Sequence, residues 1–376
     1  MDFTLSAEQE AIKETVRRFM QRECPRETAH ALDEQGAFPA ELLPRIAVLG
    51  FCGLNVPETY DGGGQDTLGT AIVIEEIAAL SPALAELYAS VSLTGGWVLT
   101  HFGSPWQQRE FLPQVAQGAL KFALACGDDL AEDGPRADPA PEGFLLSGRA
   151  PFVGLAQRVD YMIVPARDGT EANRLTVFLA PAHQPGVQLQ PVQTVGGRGL
   201  GVAQVSFEAV RLTPEQVLGG AGQAGKGQAQ LETLTALERL AGAAIGLGLA
   251  QSAYVYTLNY TRERSQFGQP ILEFEAVEHM LVDLAAGLQS TRWLLYHACW
   301  LADQGKPFSL EATFARLQAG SLARQAGLYG VQLLGGYGYM AEYDAQRYLR
   351  DSLALFSGGA SSQLLKNSIG KYLHSL

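Results

Sequence analysis

The sequence predicts an α+β protein in three parts: an N-terminal helical domain, a central antiparallel β domain and a C-terminal four-helix bundle. Apolar residues recur at helical spacing through the first third and again from residue 228 onward. Between about 121 and 217 the texture changes to short β-branched and aromatic runs bounded by Gly, Pro and Asp. A glycine-rich stretch, residues 218–227, then separates sheet from bundle. The expected parts are therefore 1–120, 121–217 and 218–376, with helices and strands segregated along the chain.

Each element has a local cause. Ser6-Ala7-Glu8-Gln9 reads as a capping box, and the helix it opens carries Ile12, Val16, Phe19 and Met20 on one face. Helical patterns follow at roughly 40–50, 67–90 and 105–118, separated by turn clusters such as Pro57 to Gly64. Strands are expected at Tyr161–Val164, Leu175–Leu179 and Val202–Phe207. The bundle helices are expected at 228–260, 274–303, 309–337 and 361–373.

At 376 residues and 47% hydrophobic, the chain can bury a full core over two or three domains. Its 39 acidic against 27 basic residues, a formal charge of −12, repel nucleic acid and anionic membranes, so neither is an expected partner. Cys24, Cys52, Cys126 and Cys299 lie far apart with no CxxC pair. That argues against a disulfide framework or zinc site and for a reducing cytoplasm. The histidines show no HExxH spacing, the N-terminus has no signal pattern, and no uninterrupted apolar run of about 18 residues predicts a membrane span.

Two lookalike motifs fall to context. Gly220-x-Gly222-x-x-Gly225 matches a dinucleotide fingerprint, and Gly220 to Gly227 falls one residue short of a P-loop. Neither follows a strand in a βαβ unit, and Gly227 stands where a P-loop needs a hydroxyl for magnesium. The segment reads as a flexible linker. Gly336-x-Gly338-x-x-Ala341 follows a helix and fails likewise.

Glu238 is the residue of most chemical interest. It interrupts a stripe of Leu231, Leu234, Ala241, Ile245 and Leu249 at steps of three or four. Burial of that kind raises a carboxyl pKa toward neutrality and suits a general base. A structural carboxylate paired with Arg239 or Arg262 satisfies the same pattern.

Two segments tie the chain to a known family. Arg262-Glu263-Arg264-Ser265-Gln266-Phe267-Gly268-Gln269-Pro270-Ile271 and Gln332-Leu333-Leu334-Gly335-Gly336-Tyr337-Gly338-Tyr339 resemble the two halves of the FAD pyrophosphate site in acyl-CoA dehydrogenases. Phe38-Pro39, Val56 to Gly63, Phe102-Gly103-Ser104, Gly196-Gly197-Arg198-Gly199 and Arg350-Asp351 match in order and spacing, so the resemblance covers the whole chain. It implies an acyl-CoA dehydrogenase-like fold that takes the α-proton of an acyl thioester on a Glu and passes the β-hydride to flavin. Most members carry that Glu in the C-terminal region, where this chain has Phe356-Ser357-Gly358-Gly359-Ala360-Ser361. A minority, including isovaleryl-CoA and long-chain enzymes, carry it in a Leu-Glu-Arg segment, matched here by Leu237-Glu238-Arg239. The resemblance thus implies Glu238 as base, with Arg239, Ser357 and Gly358 at the substrate.

By the same carry-over, Arg264 meets the FAD pyrophosphate of a neighbouring subunit, and Phe267 and Glu275 lie against the adenosine. Gln332, Leu333, Leu334, Gly335 and Gly336 receive the phosphates across a dimer interface. Leu124 and Ala125, then Phe152, Val153 and Gly154, fall on the flavin ring, with Gly359, Ala360 and Ser361 also on the cofactor. The implied partners are an acyl-CoA or acyl-carrier-protein thioester, an electron-transfer flavoprotein as electron acceptor, and further copies of the chain in a dimer of dimers, a homotetramer.

The pattern departs from the family around the flavin. A Thr-Glu-Pro segment becomes Ala125-Cys126-Gly127, and Trp-Ile-Thr or Trp-Ile-Ser becomes Phe152-Val153-Gly154. Two hydroxyl donors are lost, each worth about 1 kcal/mol or roughly fivefold in affinity. Glu275 replaces a customary Gln. Three readings follow: a dehydrogenase, a non-catalytic partner subunit of a heteromeric dehydrogenase, and a flavin oxidase or monooxygenase on the same fold.

Overall fold

In the computed structural model, which describes residues 4–64, 66–126, 134–169, 174–355 and 361–374, Ser6 and Gln9 form the expected box. The Gln9 amide donates to Ser6 Oγ and the Ser6 amide to Gln9 Oε1, both at 3.1 Å. The helix it starts, α1 (Ala7–Glu23), buries Ile12, Val16, Phe19 and Met20. Then come α2 (Arg26–Gln35), α3 (Leu42–Val48), α4 (Thr67–Ala78) and α5 (Pro82–Ala89). The patterned stretch 67–90 is thus two helices. The break is Ser81, whose hydroxyl caps the Leu84 amide, followed by Pro82 in the first turn. A π-helical stretch, Ser90–Trp97, leads from α5 into α6 (Val98–Phe102). A second capping box, Ser104 with Gln107, opens α7 (Pro105–Ala116).

Seven strands make one sheet: β1 (Phe122–Leu124), β2 (Arg136–Ala140), β3 (Gly143–Val153), β4 (Tyr161–Asp168), β5 (Leu175–Pro181), β6 (Val187–Pro191) and β7 (Ala203–Leu212). Their order is β1-β4-β2-β3-β7-β6, with β5 also on β4. The expected antiparallel sheet is in fact mixed, because β1 and β2 both run parallel to β4. The β2–β3 hairpin lies between β1 and β4 in sequence and supplies the length that a parallel crossover needs.

The glycine-rich stretch is fastened rather than free, which corrects the flexible linker. The Leu218 amide donates to the Val177 carbonyl, the Gly227 amide to the Leu175 carbonyl, and the Gly225 amide to Thr176 Oγ1. From the other side, Gln107 Nε2 donates to the carbonyls of Glu215 and Val217, at 2.9 and 2.8 Å, and its Oε1 accepts from the Gly219 amide.

Beyond it lie α8 (Gln228–Glu263), a hairpin of β8 (Ser265–Gln266) and β9 (Gln269–Pro270), α9 (Glu275–Asp303), α10 (Ser309–Leu334), the short α11 (Gly336–Tyr339), α12 (Asp344–Ala354) and α13 (Ser362–Leu373). The sequence reading found α8, α9, α10 and α13 but not α12, which packs with α10 and α8. By length and hydropathy α8 could cross a membrane, yet 72% of its most apolar window is buried among its neighbours, as in a core helix.

Candidate functional site

A cavity of about 430 Å³ lies where the sheet meets the first half of α8. Side chains alternate across a strand, and that parity decides which of the expected flavin residues reach it. Leu124 and Cys126 line the wall, while Ala125 between them is fully buried and its amide donates to the Ile163 carbonyl. Phe152 and Gly154 line it too, with Val153 turned away at 2% exposure. Ala125 and Val153 do not line the cavity, so any part they take at the ring falls to their backbone.

Phe152 is held outward by unusual backbone. The β3–β7 register shifts between Ala150 and Val153, and Phe152 takes φ 54°, left-handed, with its ring 61% exposed. Strain of this kind persists only where surrounding structure imposes it. A Cβ on Gly154 would meet only Leu200 Cδ2, at 3.7 Å, so the wall beside the ring is open. An aromatic face next to an open backbone step fits a flat heteroaromatic ring.

The opposite wall is helical and charged. Glu238, Arg239, Gly242 and Ile245 project from α8 and Glu86 from α5, with Arg316 of α10 and Asp351 of α12 completing it. Glu238 is not sealed into the apolar stripe. It is partly buried and faces the cavity, because Leu234, Leu237 and Ala241 take the core side. Arg239 reaches sideways: its Nη1 donates to Thr313 Oγ1 at 2.8 Å and its Nη2 to Ser368 Oγ at 3.4 Å. Arg316 lies over Gly242, where a Cβ would collide with its Nε, and donates to the Leu355 carbonyl. The Asp351 carboxylate accepts from the Gly197 amide at 2.8 Å, and burial raises its pKa. Burial raises Glu86 as well, with the Arg316 charge opposing it. Glu86, Arg316 and Gly242 went unnoticed in the sequence, where Cys126 figured only as a departure from the family's Thr-Glu-Pro segment. The one signal for Glu86 was a lone charge in the otherwise apolar run Pro82 to Val91.

The other expected cofactor residues gather elsewhere, none of them lining this cavity. Arg264 is the exposed C-cap residue of α8, and Phe267, at φ 53° and 94% exposed, tips the β8–β9 hairpin. Gln332, Gly335 and Gly336 are exposed at the end of α10, Leu333 is partly buried, and Leu334 is buried at 2%. Tyr260 links the two segments: burial raises its pKa, the Arg264 charge lowers it, and the phenols of Tyr337 and Tyr343 raise it. A Cβ on Gly335 or Gly336 would meet nothing within 4 Å, and Gly335 has the left-handed φ of 60°. Glu275 is exposed with His279 one turn on, at 3.7 Å. Ser361 caps α13 by accepting from the Leu364 amide. Ser357, Gly358, Gly359 and Ala360 lie outside the described residues.

Along a straight α8, the 26 residues from Glu238 to Arg264 span about 39 Å. That length of helix separates the cavity wall at Glu238 from the exposed cluster at Arg264. A larger cavity, about 840 Å³, opens beside α1, α4, α8 and α9. Its walls carry the ion pairs Arg17–Glu76 and Arg292–Glu75, each at 2.7 Å, which tie helices together, and none of the expected site residues.

Comparison with known proteins bears on this geometry. Residues 6–119 match the family model described as acyl-CoA dehydrogenase, N-terminal domain, and residues 225–374 match acyl-CoA dehydrogenase, C-terminal domain. The probable acyl-CoA dehydrogenase YngJ of Bacillus subtilis (strain 168) is 31% identical over 99% of this chain and 100% of its own length. The structure of butyryl-CoA dehydrogenase from Megasphaera elsdenii aligns with a TM-score of 0.93 at 26% identity, covering 99% of this chain and 100% of that one. PigA with FAD and proline aligns with a TM-score of 0.90 at 25% identity, covering 100% of this chain and 99% of that one.

Proposed function

This chain belongs to the acyl-CoA dehydrogenase family, and on that premise we propose that it is an FAD-dependent dehydrogenase of an acyl thioester. One observation carries the reading: Glu238 shares a cavity with the outward-held Phe152 ring. Leu124, Phe152 and Gly154 hold the flavin ring, and FAD, when bound, supplies the acceptor for the hydride of the β-carbon. A carboxylate oxygen of Glu238 takes the α-proton, and the α-C–H electron pair becomes the new double bond. The wall formed by the buried Ile245 and Leu355 excludes water from that exchange. Because one chain's clusters are so far apart, the ADP half of each FAD is received by Arg264, Phe267 and Gln332 to Gly336 of a second copy. This makes the chain at least a homodimer. A CoA or carrier-protein thioester is the substrate, and an electron-transfer flavoprotein takes the electrons onward.

The test uses the flavin as its own indicator. The purified protein is expected to be yellow and to bleach anaerobically on addition of a saturated acyl thioester. Glu238→Gln is expected to keep the colour and lose the bleaching; bleaching at the wild-type rate would remove Glu238 from the role. The missing hydroxyls at Ala125 and Gly154 favour one other reading, a partner subunit that completes a catalytic homologue's site. Colourless protein that gains flavin only on co-expression with such a homologue selects it.

A further inference from the structure

We propose that the acyl group received by this cavity carries a cationic nitrogen, bound by the Glu86 carboxylate. The inference rests on the preceding reading, that the cavity holds an acyl thioester, and names the class of acyl group.

A plain hydrocarbon chain is best served by an unbroken apolar wall, since each charge it covers loses water without compensation. This wall holds three carboxylates, Glu86, Glu238 and Asp351, against two guanidiniums, Arg239 and Arg316. Asp351 is answered from behind the wall by the Arg347 and Arg350 charges. Most of these groups have other work. Arg239 bonds the Thr313 and Ser368 hydroxyls, Arg316 the Leu355 carbonyl, and Asp351 the Gly197 amide. Glu238 is assigned to the α-proton.

Glu86 is different. It stands on the second half of α5, a turn beyond Pro82 and Ala83, which line the same wall. Among the described residues no hydrogen-bond donor meets its carboxylate, and the only charge acting on it is Arg316. Arg316 keeps its place because Gly242 offers no side chain, so the pair is set across the cavity from α5 and α10. An ammonium brought in on the acyl chain supplies the donors Glu86 lacks. A charge-assisted bond of this kind is worth about twice a neutral one.

Binding and turnover test the two readings separately. Titration calorimetry on the Glu238→Gln holoenzyme measures Kd for butyryl-, pentanoyl- and hexanoyl-CoA, for the ω-amino thioesters of the same lengths, and for glutaryl-CoA. At least one ω-amino thioester is expected to bind about tenfold tighter than its unsubstituted counterpart. Adding Glu86→Gln is expected to bring that ratio near one without weakening the unsubstituted ligand. Equal or weaker binding of every ω-amino ligand, preference for glutaryl-CoA, or a preference that survives Glu86→Gln overturns the proposal. Flavin bleaching of wild-type protein by any member of the panel reports on the dehydrogenase reading alone.

Discussion

Gly242 and Arg316 occupy one another's space: a Cβ at residue 242 would fall inside contact distance of the Arg316 guanidinium. Gly242 sits one turn after Glu238 on α8, so the bare backbone there lets a buried arginine cross the floor of the cavity. Gly242→Ala is expected to destabilise despite the ~1 kcal/mol that alanine gains over glycine inside a helix. Crowding of a packed site costs about 1–3 kcal/mol, and the Arg316 bond to the Leu355 carbonyl is strained with it. Urea unfolding should show a net loss of up to about 2 kcal/mol, together with slower thioester-driven bleaching.

Gln107 holds three backbone groups at once, the carbonyls of Glu215 and Val217 and the amide of Gly219, and is fully buried. Gln107→Ala removes the side-chain partner of the Glu215 carbonyl and the Gly219 amide, while the Val217 carbonyl keeps the Gly220 amide. The expected loss is about 3 kcal/mol, read as a lower urea midpoint at unchanged slope.

Phe152 sets stability against cofactor binding. Its left-handed backbone costs about 1–2 kcal/mol that glycine would not incur. Phe152→Gly is expected to match or exceed wild type in apoprotein stability. It should bind FAD about five- to tenfold more weakly, from the lost aromatic face. Flavin retained after gel filtration, set beside apoprotein melting temperature, measures both halves.

Asp351 gives a pH signature. Burial lifts its folded pKa above the ordinary carboxyl value, so between the unfolded and folded pKa the native chain holds more proton than the unfolded one. Its contribution therefore favours the native state at acid pH and fades as pH rises through the folded pKa. Asp351→Asn lacks this dependence and can still accept from the Gly197 amide. The stability of Asp351→Asn relative to wild type should rise as pH climbs from the ordinary carboxyl pKa to the raised folded one and level off above it, in paired melting curves.

Much of the fold was written in local pattern. The Ser6–Gln9 box and the four long bundle helices follow from capping chemistry and period alone. What escaped was amphipathic but polar. In α2 the sole buried residue is Ala29, and α12 buries Asp344, Arg347 and Asp351 through ion pairs and backbone bonds rather than through leucines. At the site, Glu238 announced itself as a carboxylate in an apolar stripe. Glu86 and Arg316 come from helices 230 residues apart in sequence and meet only through packing. The pairing of Leu124 with Cys126, and of Phe152 with Gly154, needed strand parity that short runs broken by a bulge did not reveal.

The 36 residues of α8 form an uninterrupted helix that carries Glu238, the proposed proton acceptor, in its first half and is capped at its C-terminus by Arg264. On the proposed pairing, this one helix joins the base of one copy to the residue that would meet the second copy's nucleotide.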